Sequence, residues 1–198
     1  GRQLGPGTSL GFHRDLPGGF CSRVVAHSSQ VFAVPDEVDD SVAVLTEPLS
    51  IATHAVLRTP LHKMEPVLII GSGAIAQAAV WALRSSGFAG EVLIQAKRPH
   101  EAALARELGA DGTVSPSEGR EAMLDTGASA HKPMLGPEVF AGGGFPLIFD
   151  CVGSRSSLDR ALRFASPRGR IVVLGCAGIV SQLDLSFLWA REIQVHGF

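Results

Sequence analysis

The chain has 198 residues, of which 45% are hydrophobic and 18% charged, with a formal net charge of −2. That balance describes a globular chain with a real core; it speaks against disorder, a nucleic-acid partner and an anionic membrane surface. No apolar run nears the roughly 20 residues that cross a bilayer, and the first residues carry no secretory or transit pattern; the odd, sparse count of three cysteines fits reduced thiols and a cytoplasmic location is expected.

Taken in chain order, residues 1–19 are rich in Gly and Pro and read as irregular. Cys21–His27 and Gln30–Val34 carry β-branched and apolar residues and predict two short strands, closed by Pro35. The acidic stretch 36–40 predicts a helix start, with a helix over 41–56 interrupted near Pro48. Pro60 and Pro66 bracket a linker. From Val67 strands and helices alternate. The predicted strands are Val67–Ile70, Val92–Gln95, Gly112–Val114, Leu147–Cys151, Arg170–Leu174 and Glu192–His196. The predicted helices are Ala74–Ser85, His100–Leu108 and Ser156–Phe164. Wholly apolar strands suit a sheet buried on both faces, and the alternation predicts an α/β fold with a doubly wound, six-stranded parallel sheet. Residues 115–145 are long for an α/β connection. They read as a short helix over 117–124 followed by a Gly- and Pro-punctuated surface insertion, with a lid or partner-contact loop as the other reading.

The first strand breaks into Gly71-Ser72-Gly73-Ala74-Ile75-Ala76 and continues as a helix. Gly71 permits a tight turn, Gly73 lets the backbone approach a pyrophosphate, and Ala76 lets helix and strand pack closely. A helix that starts here aims its free N–H groups and its dipole at the phosphates. About 20 residues on, where a carboxylate would hold the ribose hydroxyls of NAD, stand Ala96, Lys97 and Arg98. Absence of an acid, with two cations beside it, favours a 2′-phosphate and hence NADP over NAD. Ligands of such sheets sit outside the carboxyl ends of the strands; those ends are Gly71–Ile75, Ala96–Arg98, Cys151–Gly153 and Gly175–Ala177. The three cysteines are far apart, with no Cys-x-x-Cys. Cys151 and Cys176 are expected to be buried and inert. The seven His form no closely spaced pair, so a His-based metal site within the chain is not expected.

Several further segments carry a resemblance. GGFCSRVVAHSSQVFAVPDEV, TEPLSIATHAV, GSGAIA, ARELGAD, FDCVGS, GRIVVLG and LDLSFLWAREIQVHGF follow one another as in the medium-chain dehydrogenase/reductase family. The chain resembles its zinc-type alcohol and polyol dehydrogenase branch over most of residues 18–198. The resemblance implies a Rossmann dinucleotide-binding domain over 41–198, preceded over 1–40 by a β-rich remnant of a GroES-like catalytic domain. It implies that Cys151, Val152 and Gly153 approach the riboses, and that Gly175, Cys176 and Ala177 approach the nicotinamide carboxamide. Glu47, in Glu47-Pro48-Leu49, stands where polyol-type members place a carboxylate at the catalytic zinc. His54 looks like a packing residue. The family's other zinc ligands, a Cys and a Gly-His-Glu segment, belong upstream, and its four-Cys structural zinc lobe is missing. The sequence is therefore expected to be part of a longer enzyme, inactive by itself, with zinc present only in the full-length protein. An alcohol or polyol substrate and a homodimer or homotetramer, paired through the last strand, are also implied. A zinc-independent quinone or enone reductase and a non-catalytic nucleotide-binding module are the competing readings. A methyltransferase is disfavoured, because it too would want an acid near Ala96.

Overall fold

The computed structural model describes residues 18–198, together with Gly11 and Arg14, so the reading of residues 1–19 lies largely outside the described residues. The chain divides into two compact units, Gly1–Val44 and Leu45–Phe198. In the first, the described residues hold one 3₁₀ turn, Ser28–Gln30, and a short helix α1, Asp40–Ala43. Asp39 caps α1, its Oδ1 accepting the Ser41 N–H at 2.8 Å. The two strands predicted at Cys21–His27 and Gln30–Val34 do not form. A strand needs a ladder partner, and no described segment of this unit offers one. Val25 and Phe32 stay 86% and 87% exposed.

The second unit opens with α2, Thr46–Arg58. The predicted helix interruption falls before Thr46 rather than at Pro48. Pro48 is the third residue of α2, within the first turn, where a backbone N–H has no helical partner to lose.

There follow β1 (Val67–Ile70), α3 (Ala74–Ser85), β2 (Val92–Gln95), α4 (Pro99–Glu107), β3 (Gly112–Val114), α5 (Gly119–Asp125), β4 (Ser129–His131) and β5 (Val139–Ala141). The chain then runs through β6 (Phe145–Asp150), α6 (Arg155–Phe164), β7 (Ala165–Val173), α7 (Ser186–Ala190) and β8 (Gln194–Gly197). Six strands form one parallel sheet in the order β3-β2-β1-β6-β7-β8. This is the Rossmann arrangement, and the order reverses between β1 and β6. One core lies under α2 and α3, around Ala52, Ala79, Leu83, Ile69 and Phe149. The other lies under α5 and α6, around Met123, Leu162, Phe164, Ile148 and Ile171. β1 is buried along its whole length. None of the described helices is long and apolar enough to cross a membrane.

Two differences from expectation have local causes. β7 begins at Ala165, five residues early, because Phe145 pairs with Ala165 ahead of a register shift. Pro167 and Arg168, the latter at φ +61°, sit in that irregular start. Residues 115–145 are not a bare loop. After α5, β4 and β5 pair as an antiparallel hairpin. Phe140 of this hairpin is buried and meets Phe164 edge-to-face at 5.8 Å. Arg191 ties it down further, donating to the Phe140 carbonyl and, at 2.9 Å, to the Arg163 and Ala165 carbonyls.

The ARELGAD segment is explained by one side chain. Arg84, in the last turn of α3, donates to the carbonyls of Gly109 at 2.7 Å, Phe88 at 2.8 Å and Gly90 at 2.9 Å, and pairs with Asp111. Gly109 is at φ +106°, and a Cβ there would lie 2.8 Å from Arg84 Cγ. Asp111 also accepts the Val92 N–H at 2.7 Å, which sets the start of β2.

Candidate functional site

The site begins where β1 ends. Gly71 is at φ +110°, and a Cβ there would come 2.9 Å from Val152 Cγ2. Gly73 caps α3 in an extended conformation, with no side chain on the helix N–H groups and open space where its Cβ would be. That is a backbone surface a phosphate can approach. Ala76 is 1% exposed and packs α3 onto the sheet.

Side chains that the motif does not name hold this turn. Ser72 Oγ donates to Glu101 Oε2 at 2.7 Å. Gln77 Nε2 donates to the Ser72 carbonyl at 3.2 Å and the Glu101 carbonyl at 2.9 Å. The Ser72 hydroxyl, joined by the nearby Arg98, keeps the Glu101 carboxyl below its ordinary range, so it is an anion at neutral pH.

At the end of β2, Ala96 is buried and its N–H donates to the Val114 carbonyl at 3.1 Å. Lys97 and Arg98 are exposed beside it. Arg98 precedes α4 and lies 3.4 Å from Glu101, an open pairing worth little.

β6 ends on Asp150, which is fully buried. Its carboxylate accepts the N–H groups of Val152 and Gly153, both at 3.0 Å, and the Ser157 hydroxyl at 3.0 Å. Burial nonetheless pushes its pKa up, the hydrogen bonds opposing that shift only in part. Ser154 and Ser157 form a reciprocal capping box that starts α6. The turns after β6 and β7 touch through their backbones. A Cβ on Gly153 would lie 2.1 Å from the Gly175 oxygen, and one on Gly175 would lie 2.0 Å from the Val152 carbonyl carbon. Cys151 is part-buried rather than buried as expected; burial, with Asp150 next to it, drives its thiol up in pKa, which favours the unreactive protonated form. Cys176 departs from expectation: it is exposed, because β7 ends at Val173 and the chain has left the sheet before it.

An open cleft of about 370 Å³ lies over the β1–β6 switch point. Of the residues read from sequence, Gly71, Ser72, Lys97, Arg98 and Val152 line it. Gly73, Ala74, Ile75, Ala96, Cys151, Gly153, Gly175, Cys176 and Ala177 lie at the same strand ends, outside its lining. Gln95, Glu101, Pro116, Ser154 and Arg160 line it without having been anticipated. Gln95 ends β2, Pro116 follows β3, Ser154 caps α6, and Glu101 and Arg160 lie on α4 and α6; no glycine pattern points to them. Lys97, Arg98 and Arg160 set three cations against the one carboxylate of Glu101.

Glu47 is exposed at the second position of α2. Among the described residues no three His, Cys, Asp or Glu side chains converge on a metal position. Those residues do not by themselves fit a zinc ion. His54 is exposed and meets Phe198 edge-to-face at 5.9 Å.

The profile of the zinc-binding dehydrogenases matches residues 74–198, which covers the glycine helix and every later element of the sheet. The chain belongs to the zinc-binding dehydrogenase family. As a zinc-binding dehydrogenase sequence it is 29% identical to an L-idonate 5-dehydrogenase of Vitis vinifera, over 91% of this chain and 47% of that protein. The crystal structure of L-idonate 5-dehydrogenase from Escherichia coli superposes with a TM-score of 0.73 at 26% identity, covering 92% of this chain and 48% of that one. A zinc-binding dehydrogenase from Sinorhizobium meliloti, solved bound to NADP, gives a TM-score of 0.69 at 28% identity, over 91% of this chain and 51% of that one. The chain thus spans about half the length of the relatives it matches.

Proposed function

We propose that this chain is the nucleotide-binding portion of a zinc-dependent alcohol or polyol dehydrogenase, and that it binds NADP(H) in preference to NAD(H). The observation that carries the reading is the cationic cleft at the end of β2, where a buried Ala96 replaces an acid and Lys97 and Arg98 face the opening. The bare N-terminus of α3 and the Cβ-free space at Gly73 would take the pyrophosphate. Backbone groups of Val152, Gly153 and the segment Gly175–Ala177 would line the path toward the nicotinamide. When bound, the cofactor supplies the ring that accepts hydride.

Residues 1–40 are assigned to the GroES-like catalytic domain. Glu47 would contribute a carboxylate to a metal site whose remaining ligands lie outside the described residues. Among the described residues β8 pairs only with β7 and is exposed along its length; an open strand of this kind suits edge-to-edge association into a dimer or tetramer. Titration of the chain with NADPH and with NADH, followed by nicotinamide fluorescence at fixed ionic strength, tests the cofactor reading. NADPH should bind about ten- to a hundredfold tighter, the effect of one charge-assisted hydrogen bond or more. Equal affinities, or tighter NADH, would overturn it.

A further inference from the structure

Arg160 and the Gln95 amide nitrogen stand in the cleft without a hydrogen-bond or ion-pair partner among the described residues. Arg160 projects from α6, on the far side of the switch point from Lys97 and Arg98. Among the described residues it makes no hydrogen bond or ion pair; its guanidinium carbon lies 5.9 Å over the Phe164 ring. Its sequence neighbour Asp159, whose charge it feels, is bonded to Arg163 at 2.8 Å. Partial burial disfavours the charged form of Arg160. A guanidinium held partly out of water, with no acid bonded to it, in a cleft that carries two more cations on its opposite side, is a costly arrangement until an anion enters. Gln95 ends β2 on the floor of the same cleft. It is only 7% exposed, and its Nε2 has no hydrogen-bond partner. A buried amide left unpaired costs stability, and a native chain that retains one calls for a reason. Turning the amide by 180° exchanges its two ends, so it can offer a donor or an acceptor to the cleft.

We infer that Arg160 and Gln95 form a second wall of the cofactor site that receives the 2′-phosphate end of the adenosine ribose, with Arg160 as charge partner opposite Lys97 and Arg98 and Gln95 as the polar floor. The ligand class is a phosphate monoester on a nucleoside ribose. Three cations from two sides then surround a dianion, and Glu101, held by Ser72, faces the glycine turn instead. This inference rests on the NADP reading above and adds to it two residues that the strand-end motif does not contain.

Fluorescence titration of NADPH and NADH against wild type, Arg98→Ala, Arg160→Ala, Arg160→Lys and Gln95→Leu tests it. Arg160→Ala should weaken NADPH by about tenfold or more and leave NADH within about twofold. Arg160→Lys should recover part of the loss, since it keeps the charge but not the fork. Gln95→Leu should weaken NADPH while raising the thermal midpoint of the free chain, because it removes a buried unpaired amide; a merely structural glutamine would lower both. If wild type prefers NADPH, and Arg98→Ala loses that preference but Arg160→Ala keeps it, the second wall is wrong and the cofactor reading stands. A Gln95→Leu variant with unchanged NADPH affinity would remove Gln95 from the site. Should wild type itself bind both cofactors equally, the cofactor reading falls first.

Discussion

Gly175 and Gly153 show how a single atom decides the shape of the site. Each occupies a spot where a Cβ would sit about 2 Å from the other turn's backbone, far inside van der Waals contact. Gly175→Ala must therefore move the β6 and β7 turns apart. It should cost about 3 kcal/mol or more in urea unfolding and abolish cofactor binding, whereas Gly178→Ala, at φ +93° with open space around it, should cost only about 1 kcal/mol of backbone strain. Asp150 makes the second residue-scale prediction. Its native pKa is raised by burial, so the folded state holds the proton more readily than the unfolded chain. The sign follows: its contribution to stability is fullest when protonated and declines as pH climbs from about 4 through the raised native value. Asp150→Asn should flatten that part of the stability–pH curve. A variant curve parallel to wild type across this window would show that Asp150 titrates at its ordinary value.

At the scale of elements, the connections are held by arginines rather than by apolar contact alone. Arg84 joins α3 to the loops that precede β2 and β3, and Arg170 joins β7 to the linker before β1, bonding Glu65 at 2.7 and 2.8 Å with both side chains about a tenth exposed. Carbonyls that end a helix or leave a turn have lone pairs to satisfy, and one planar fork can take several at once. Arg84→Ala would strand the Gly109, Phe88 and Gly90 carbonyls together and should destabilise the chain by about 2 to 3 kcal/mol. Arg84→Lys should recover little, because a point charge cannot reproduce the fork. Chemical denaturation checks both, and a lysine variant matching wild type would refute the geometric account.

For the whole molecule, binding and turnover should separate. The phosphate turn, the strand ends and the cationic cleft all lie in the unit Leu45–Phe198. A metal position needs three or four converging ligands, and among the described residues none is assembled. The 198-residue chain should therefore bind NADPH, contain no stoichiometric zinc by elemental analysis, and oxidise alcohols and polyols with NADP only at background rate. Zinc-dependent turnover by this chain would contradict the assignment of its parts.

The sheet strands β1 to β3, the helix α3 and the glycine turn were legible from sequence residue for residue, because each depends on neighbours within one βαβ unit. Period, apolar run and turn glycines are local properties, and Ala96-Lys97-Arg98 could be read by counting along the same unit. What the sequence did not disclose depends on partners remote along the chain. Cys21–His27 and Gln30–Val34 have strand composition but no ladder among the described residues. The hairpin Ser129–Ala141 forms because Phe140 finds Phe164. The exposure of Cys176 follows from where β7 stops. Glu101, Gln95 and Arg160 reach the cleft only because β1, β2, α4 and α6 converge at the switch point. Local chemistry determined the cofactor turn; tertiary contact alone determined which charges surround it, since a side chain's electrostatic partners are chosen by distance in space.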